Sequence, residues 1–228
     1  ILISINHICN ETGHIHNLEP MINLKEKYGI MLHLDACQTI GKSTLNINNH
    51  PIDFISLSSH KCYGPQGIGG LYIAENRHIT PLIHGSHPVR SGTLPHGLIG
   101  LMGEAYRIAS RDYEANISHI KKIRQRFLDN LSDVKKVIHT NGTPHIINMA
   151  FLEASSEDIT KIRQAIYSQI SSACHEGSIS HVLKARNIPL NIIKQSIRFS
   201  FGISTSFEDV DNACQIILET ISLKRLRA

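Results

Sequence analysis

The chain has 228 residues, of which 41% are hydrophobic and 18% charged, and its formal net charge is +4. This is an ordinary globular composition for one or two domains, and no apolar run reaches the roughly 18 residues that a bilayer-spanning helix needs. The basic residues are dispersed, and Lys121, Lys122, Arg124 and Arg126 read as one solvated helix face, so no direct nucleic-acid binding is expected.

Taken in chain order, Ile1–Ile5 reads as a strand and Asn17–Tyr28 as a helix that Gly29 ends in the position of a C-terminal glycine cap. Ile30–Leu34 and Asp53–Ser58 are short apolar runs closed by polar or glycine-rich stretches, the signature of buried strands, and Leu71–Ile73 is expected to pair after them. From 97 to 131 there is no proline, and apolar residues recur every three or four positions, which predicts one long helix or two abutting ones. Strands follow at 136–140, 146–151 and 196–201, with helices at 156–169 and 207–223. Strands alternating with helices argue for an α/β chain with a mostly parallel sheet in its first part.

The chemistry concentrates at strand ends. Ser58-Ser59-His60-Lys61 lies between the third apolar run and the glycine-rich Gly64–Gly70. Open α/β sheets place ligands beyond the carboxyl ends of their strands. A partly desolvated lysine there, beside a histidine, has the character needed to form a Schiff base with a carbonyl group. The second strand ends on Asp35, with Gln38 three residues later. A pyridine cofactor that serves as an electron sink needs such a carboxylate at its ring nitrogen. Five scattered cysteines, without C-x-x-C and without a secretory leader, argue for a reducing compartment, with the cytoplasm as the expected location. Fifteen scattered histidines lack the clustering of a metal site, and none is expected.

Four segments together resemble the cysteine desulfurases of the class V aminotransferase family: His7-Ile8-Cys9-Asn10-Glu11-Thr12-Gly13, His33-Leu34-Asp35-Ala36-Cys37-Gln38, Ser58-Ser59-His60-Lys61-Cys62-Tyr63-Gly64-Pro65 and Arg90-Ser91-Gly92-Thr93-Leu94-Pro95. The resemblance implies pyridoxal 5'-phosphate as cofactor. It also implies a partial large domain of the pyridoxal-phosphate transferase fold over 1–112, mostly parallel sheet with flanking helices. A smaller α+β domain over 113–228 would follow and carry the cysteine loop. The chain corresponds to the family only from partway through the large domain.

Residue by residue, the resemblance makes Lys61 the Schiff-base lysine and Asp35 the partner of the pyridinium nitrogen. Gln38 and Asn10 would bond the ring's phenolic oxygen, with Asn10 also near the substrate. Ser58 and His60 would hold the phosphate, and Ser59 belongs to the same cofactor-binding stretch. Thr93 corresponds to a threonine that reaches the phosphate of the neighbouring subunit's cofactor, which implies a homodimer. Arg198, in Ser196–Gly202, is similar to the arginine that grips the substrate carboxylate, a task suited to its planar fork. Cys174, in Ser172-Ala173-Cys174, is similar to the sulfur-accepting nucleophile. Cys9, Cys37, Cys62 and Cys214 are expected to be small buried hydrophobes.

The activity so implied is conversion of L-cysteine to L-alanine, with sulfur passed to Cys174 as a persulfide for iron–sulfur cluster assembly or tRNA thiolation through a sulfur-acceptor protein. Two alternatives stand beside it. One is a truncated, non-catalytic relic or subunit that keeps the fold. The other, within the family, is selenocysteine lyase or sulfur supply for DNA phosphorothioation.

Overall fold

The structure is a computed structural model that describes residues 1–47, 50–169 and 179–225, with side chains up to Ile221. The chain divides into two compact units, Ile1–Ile8 with His16–Tyr113, and Cys9–Ile15 with 114–228.

The first unit is built on a four-stranded sheet in the order β1 (Leu2–Asn6), β2 (Met31–Asp35), β3 (Phe54–Ser58), β4 (Gly69–Ile73). The first three strands are parallel, with Asn6 opposite Asp35 and Asp35 opposite Ser56, while β4 returns antiparallel with Gly69 opposite Ser58. Side chains alternate across a strand. Leu32, Leu34 and Ile55 accordingly enter a core with Leu18, Ala36 and Ile52, and Ile3, Ile5, Met21 and Ile22 pack at its margin. The opposite face is polar. Ser4 Oγ lies 2.7 Å from His33 Nδ1, two residues before Asp35, and His33 Nε2 lies 2.7 Å from Ser56 Oγ, on the residue opposite Asp35.

Helix α1 spans Glu19–Tyr28, two residues shorter than its sequence pattern, because Pro20 suits the first turn and Leu18 goes into the core instead. It ends as expected on Gly29, whose φ of 65° is left-handed and whose N–H bonds Lys25 O at 2.8 Å. Beneath it, buried Asp53 accepts from the Leu32 amide at 2.7 Å, from Arg77 Nε at 2.6 Å and from Lys25 Nζ. The apolar periodicity after residue 97 resolves into two helices, α2 (His96–Arg111) and α3 (Tyr113–Asn130), separated at Asp112.

The second unit has an antiparallel sheet, β5 (Lys136–Ile138), β6 (Ile146–Phe151), β7 (Ser196–Ser200), with every residue of β6 buried. Helices α4 (Ser156–Ala165) and α7 (Phe207–Arg225) pack with α3 around one core that includes Ile123, Phe127, Met149, Phe151, Ile162, Phe199 and Ile217. A capping box between Ser155 and Asp158 starts α4. That helix stops at Ala165 rather than continuing to Gln169, since Gln169 leaves to exchange backbone bonds with Arg198. Two short helices, α5 (His181–Ala185) and α6 (Leu190–Lys194), have too few turns to show a period in the sequence.

Arg124 corrects the reading of a wholly solvated basic face. It is buried, and its guanidinium donates to Ile146 O at 2.9 Å and to Asn141 Oδ1 at 3.2 Å. Its three basic neighbours on α3 are exposed, and Arg126 pairs with Asp211 at 2.8 Å. Among the described residues, no helix is long and apolar enough to cross a membrane.

Candidate functional site

In the first unit, the residues singled out by sequence gather at the carboxyl ends of β2 and β3. Asp35 closes β2, and its Oδ1 accepts the Cys37 amide at 2.9 Å, which fixes the carboxylate's direction. The backbone around it is tied on both sides, since His7 N–H donates to Asp35 O at 2.9 Å and Ala36 N–H to Ser56 O at 3.0 Å. Burial pushes the Cys37 thiol up to about 11, with the hydrogen bond and the negative charge of Asp35 adding to the effect. Cys37 is thus a protonated, weakly nucleophilic thiol at neutral pH.

Lys61 sits just past β3 on a single 3-10 turn, His60–Cys62. The turn is drawn tight around Ser59, whose carbonyl accepts from Cys62 N at 3.0 Å and Gly64 N at 3.1 Å. Tyr63 takes a left-handed φ of 66°, an uncommon conformation for a residue with a side chain. Gly64 is required next, because a Cβ there would stand 2.3 Å from Ser59 Oγ. This packing leaves Ser59 buried, Lys61 half-buried and His60 exposed. Ser58 Oγ lies 3.0 Å from His60 Nδ1, so these two share a hydrogen bond at the turn.

Sequence reasoning missed three neighbours. Gln38 Oε1 accepts from Lys42 Nζ at 3.0 Å, an i, i+4 pair that points the amide's NH2 end the other way. Burial, followed by the like charge of Lys61, lowers the Lys42 ammonium to about 8. His7 Nδ1 lies 2.9 Å from Thr39 Oγ1, and burial, with His16 and His50 beyond, holds that imidazole below its ordinary range. The four-residue spacing of Gln38 and Lys42 was one available signal, and the place of His7 at the head of the first family-like segment was another; Thr39 offered none. Thr93 stands exposed ahead of α2, its carbonyl 3.4 Å from Arg90 Nη1.

In the second unit, the structure brings Asn10 and Arg198 together. The loop Cys9–Ile15 is pinned through its carbonyls: Asn10 O accepts from Arg198 Nη1 at 3.0 Å, Glu11 O from Asn148 Nδ2 at 2.9 Å, and Gly13 O from Thr143 N at 2.8 Å. Gly13 has a φ of 73°, and a Cβ there would meet Ile146 O at 3.0 Å. Arg198 lies in mid-β7 with its Nε buried and without a hydrogen-bond partner among the described residues. Burial pulls its guanidinium below the ordinary value, while the charge of Glu11 works the other way. It lines a cavity of about 230 Å³ with Ser168, Gln169, Phe199, Thr205 and Asp209. An arginine with an orphaned buried nitrogen is equipped to take a carboxylate.

Cys174 lies outside the described residues. Of the other cysteines, Cys9, Cys62 and Cys214 are buried as expected, and Cys37 is intermediate.

Residues 1–213 match the family described as aminotransferase class-V. The chain is 35% identical to a cysteine desulfurase IscS of Pseudomonas putida (strain W619), covering 99% of this chain and 58% of the relative. It is 36% identical to a cysteine desulfurase IscS of Buchnera aphidicola subsp. Baizongia pistaciae (strain Bp), covering 100% of this chain and again 58% of the relative. The chain thus spans under two-thirds of the length of the curated relatives it matches. Among solved structures, a NifS-like protein aligns with a TM-score of 0.87 at 28% identity, over 97% of this chain and 61% of that one. With a parallel-rich sheet, a lysine turn at its carboxyl edge and a match over most of its length, this chain belongs to the class V aminotransferase family.

Proposed function

We propose that the chain is the part of a pyridoxal-phosphate-dependent cysteine desulfurase that holds the Schiff-base lysine and the substrate arginine. One observation carries this reading: Lys61 is presented by a rigid turn at the end of β3, while Asp35 ends the neighbouring strand with its carboxylate held in place. The residues present fit pyridoxal phosphate. A half-buried amine, an oriented carboxylate, the amide of Gln38 and the Ser58–His60 pair match the aldehyde, ring nitrogen, phenolic oxygen and phosphate in chemical type.

When bound, the cofactor supplies an electron sink for charge that develops on substrate carbon. The chain's own residues do the rest. Lys61 would offer its amine to the cofactor's carbonyl and afterwards hold or move a proton at its Nζ. Asp35 would keep the ring nitrogen protonated, and Ser58 and His60 would hold the phosphate, with the buried Ser59 shaping the turn that carries them. Arg198 orients the amino-acid carboxylate with its fork, and Asn10, whose carbonyl Arg198 holds, is fixed by the same hydrogen bond. The Cys174 thiolate attacks the substrate sulfur. The S–S bond forms as the C–S bond breaks, and the electron pair of that bond stays on carbon, which takes a proton to become the methyl of alanine. L-cysteine and a thiol thereby give L-alanine and a persulfide with no external oxidant.

Thr93, exposed on this chain, completes a phosphate site across a homodimer, and a sulfur-acceptor protein for iron–sulfur assembly or tRNA thiolation takes the persulfide. The test is spectroscopic. Protein mixed with pyridoxal phosphate is expected to develop a visible absorbance band that Lys61→Ala abolishes, and borohydride followed by peptide mapping is expected to tag position 61. A tag elsewhere, or a band that survives Lys61→Ala, overturns the reading. Cys174→Ser is expected to keep the band and lose persulfide formation.

A further inference from the structure

The turn that follows β2 brings a second lysine, Lys42, to the candidate site, and none of the roles above uses it. Thr39 N–H donates to Ala36 O at 2.8 Å, and the amides of Lys42 and Ser43 both donate to Thr39 O, at 3.0 and 2.9 Å, so the chain from 36 to 43 is closed by its own backbone. A Cβ on Gly41 would stand 3.0 Å from Ala109 Cβ, which shows how closely the turn lies against α2. Buried Thr39 fastens it from the other side, with its Oγ1 2.9 Å from His7 Nδ1. Lys42 is thereby set four residues beyond Gln38, half-buried, with its Nζ 3.0 Å from Gln38 Oε1.

That contact works in one direction. An ammonium has three donors and no acceptor, so the atom of the Gln38 amide that faces it is the oxygen, and the NH2 end is turned away from Lys42. A side-chain amide without such a partner can present either end by a half-turn of its last torsion. A phenolic oxygen that carries negative charge needs the NH2 end. The contact is kept against a cost: burial, and then the like charge of Lys61, lower the Lys42 ammonium to about 8, so its charged form is less favoured in the fold than in the unfolded chain. We propose that Lys42 is a positioning residue for the cofactor: by holding Gln38 Oε1, it keeps the amide's NH2 presented to the phenolic oxygen of pyridoxal phosphate. The proposal rests on the pyridoxal-phosphate reading of this site, and the action of Lys42 passes through Gln38 alone.

The experiment measures, by equilibrium dialysis, the affinity of the full chain for two probes. One is pyridoxal 5'-phosphate; the other is 3-deoxypyridoxal 5'-phosphate, which keeps the aldehyde, ring nitrogen and phosphate and lacks only the phenolic oxygen. Lys42→Met exchanges a buried charge for an apolar chain of similar length, so the fold is retained. It is expected to weaken pyridoxal phosphate about tenfold, the scale of a hydrogen bond to a charged group, and to leave the deoxy probe within about twofold. In a Gln38→Leu background, already weakened for pyridoxal phosphate, Lys42→Met should add less than about twofold, because a residue that acts through another has nothing left to position. Equal losses for the two probes, or a full further loss in the Gln38→Leu background, mean that Lys42 acts through packing or long-range charge, and either overturns the proposal. A parent chain that binds neither probe overturns the pyridoxal-phosphate reading and this role with it. A parent that binds both, matched by its Lys42→Met variant, overturns this role alone.

Discussion

The two units differ in how completely each covers its own apolar surface. The second has one core of sixteen buried residues, which takes in Ile123 and Phe127 of α3 and Ile147, Met149 and Phe151 of β6. The first has a core of six buried residues, no buried residue on α1 and only Ala109 on α2. Leu2, Leu71 and Tyr72 are each at least 40% exposed, and a cavity of about 710 Å³ opens beside Ile55, Leu57, Tyr72 and Tyr106. Yet it is the first unit that carries Lys61 and Asp35. The difference separates two ways of holding a residue: Lys61 and Asp35 are placed by a backbone turn and a strand end, which need local order, whereas the second unit's core residues are held by packing. Ser59, Gly64 and Tyr63 hold the Lys61 turn themselves.

The largest test of this contrast is in the cores. Phe151→Ala, at a residue with no exposed surface that packs edge-on to Phe199, should cost about 3–5 kcal/mol. Leu34→Ala, equally buried but in the smaller core, should cost about 2–3 kcal/mol, near the low end for that change. Denaturant midpoints check both, and a greater loss from Leu34→Ala would break the comparison.

Next comes the buried charge of the first unit. Burial works to raise the Asp53 carboxyl, but Lys25, the Leu32 amide and Arg77 outweigh it and hold the group below the usual carboxylate range. A depressed folded value means the unfolded chain binds the proton first. The contribution is therefore fully present above about pH 4–5 and is lost as pH falls through the folded value. Asp53→Asn leaves two cations near an uncharged partner and should cost about 3 kcal/mol at neutral pH. The same variant should flatten the acid limb of a melting-temperature profile, and an unaltered limb would count against the ion triad.

Lys42 works in the opposite sense. Its value near 8, lowered mainly by burial, means that the unfolded chain holds the proton more tightly between there and about 10.5, so stability from this group rises with pH across that window. Lys42→Met should therefore stabilise the protein at pH 7 by about 1 kcal/mol, with the gain fading above pH 10. The smallest effect is expected from the capping box of the second unit, where Ser155→Ala should cost about 1 kcal/mol, read as a small drop in melting temperature.

Much of this was legible in the chain itself. Alternation and apolar runs located the strands, because a strand with a buried face must repeat every second residue. Gly29 announced the end of α1, since few other residues take its left-handed φ without cost. The limits of such reading are equally physical. Arg124 carries the same charge as its exposed neighbours, and the facing Ile146 carbonyl and Asn141 side chain are what accommodate it as a buried one.

What the sequence by itself determined is the order of the longer elements and the chemical types along them: an amine after β3, a carboxylate closing β2, an arginine within β7. Those follow from short-range patterns and residue chemistry. Tertiary structure alone decided that the loop Cys9–Ile15 belongs with the second unit, that Asn10 is held by Arg198, and that Glu11 meets Ser180. Each of these pairs joins residues more than 160 positions apart, and buried polar groups find partners wherever the fold, rather than the local pattern, brings a donor to an acceptor.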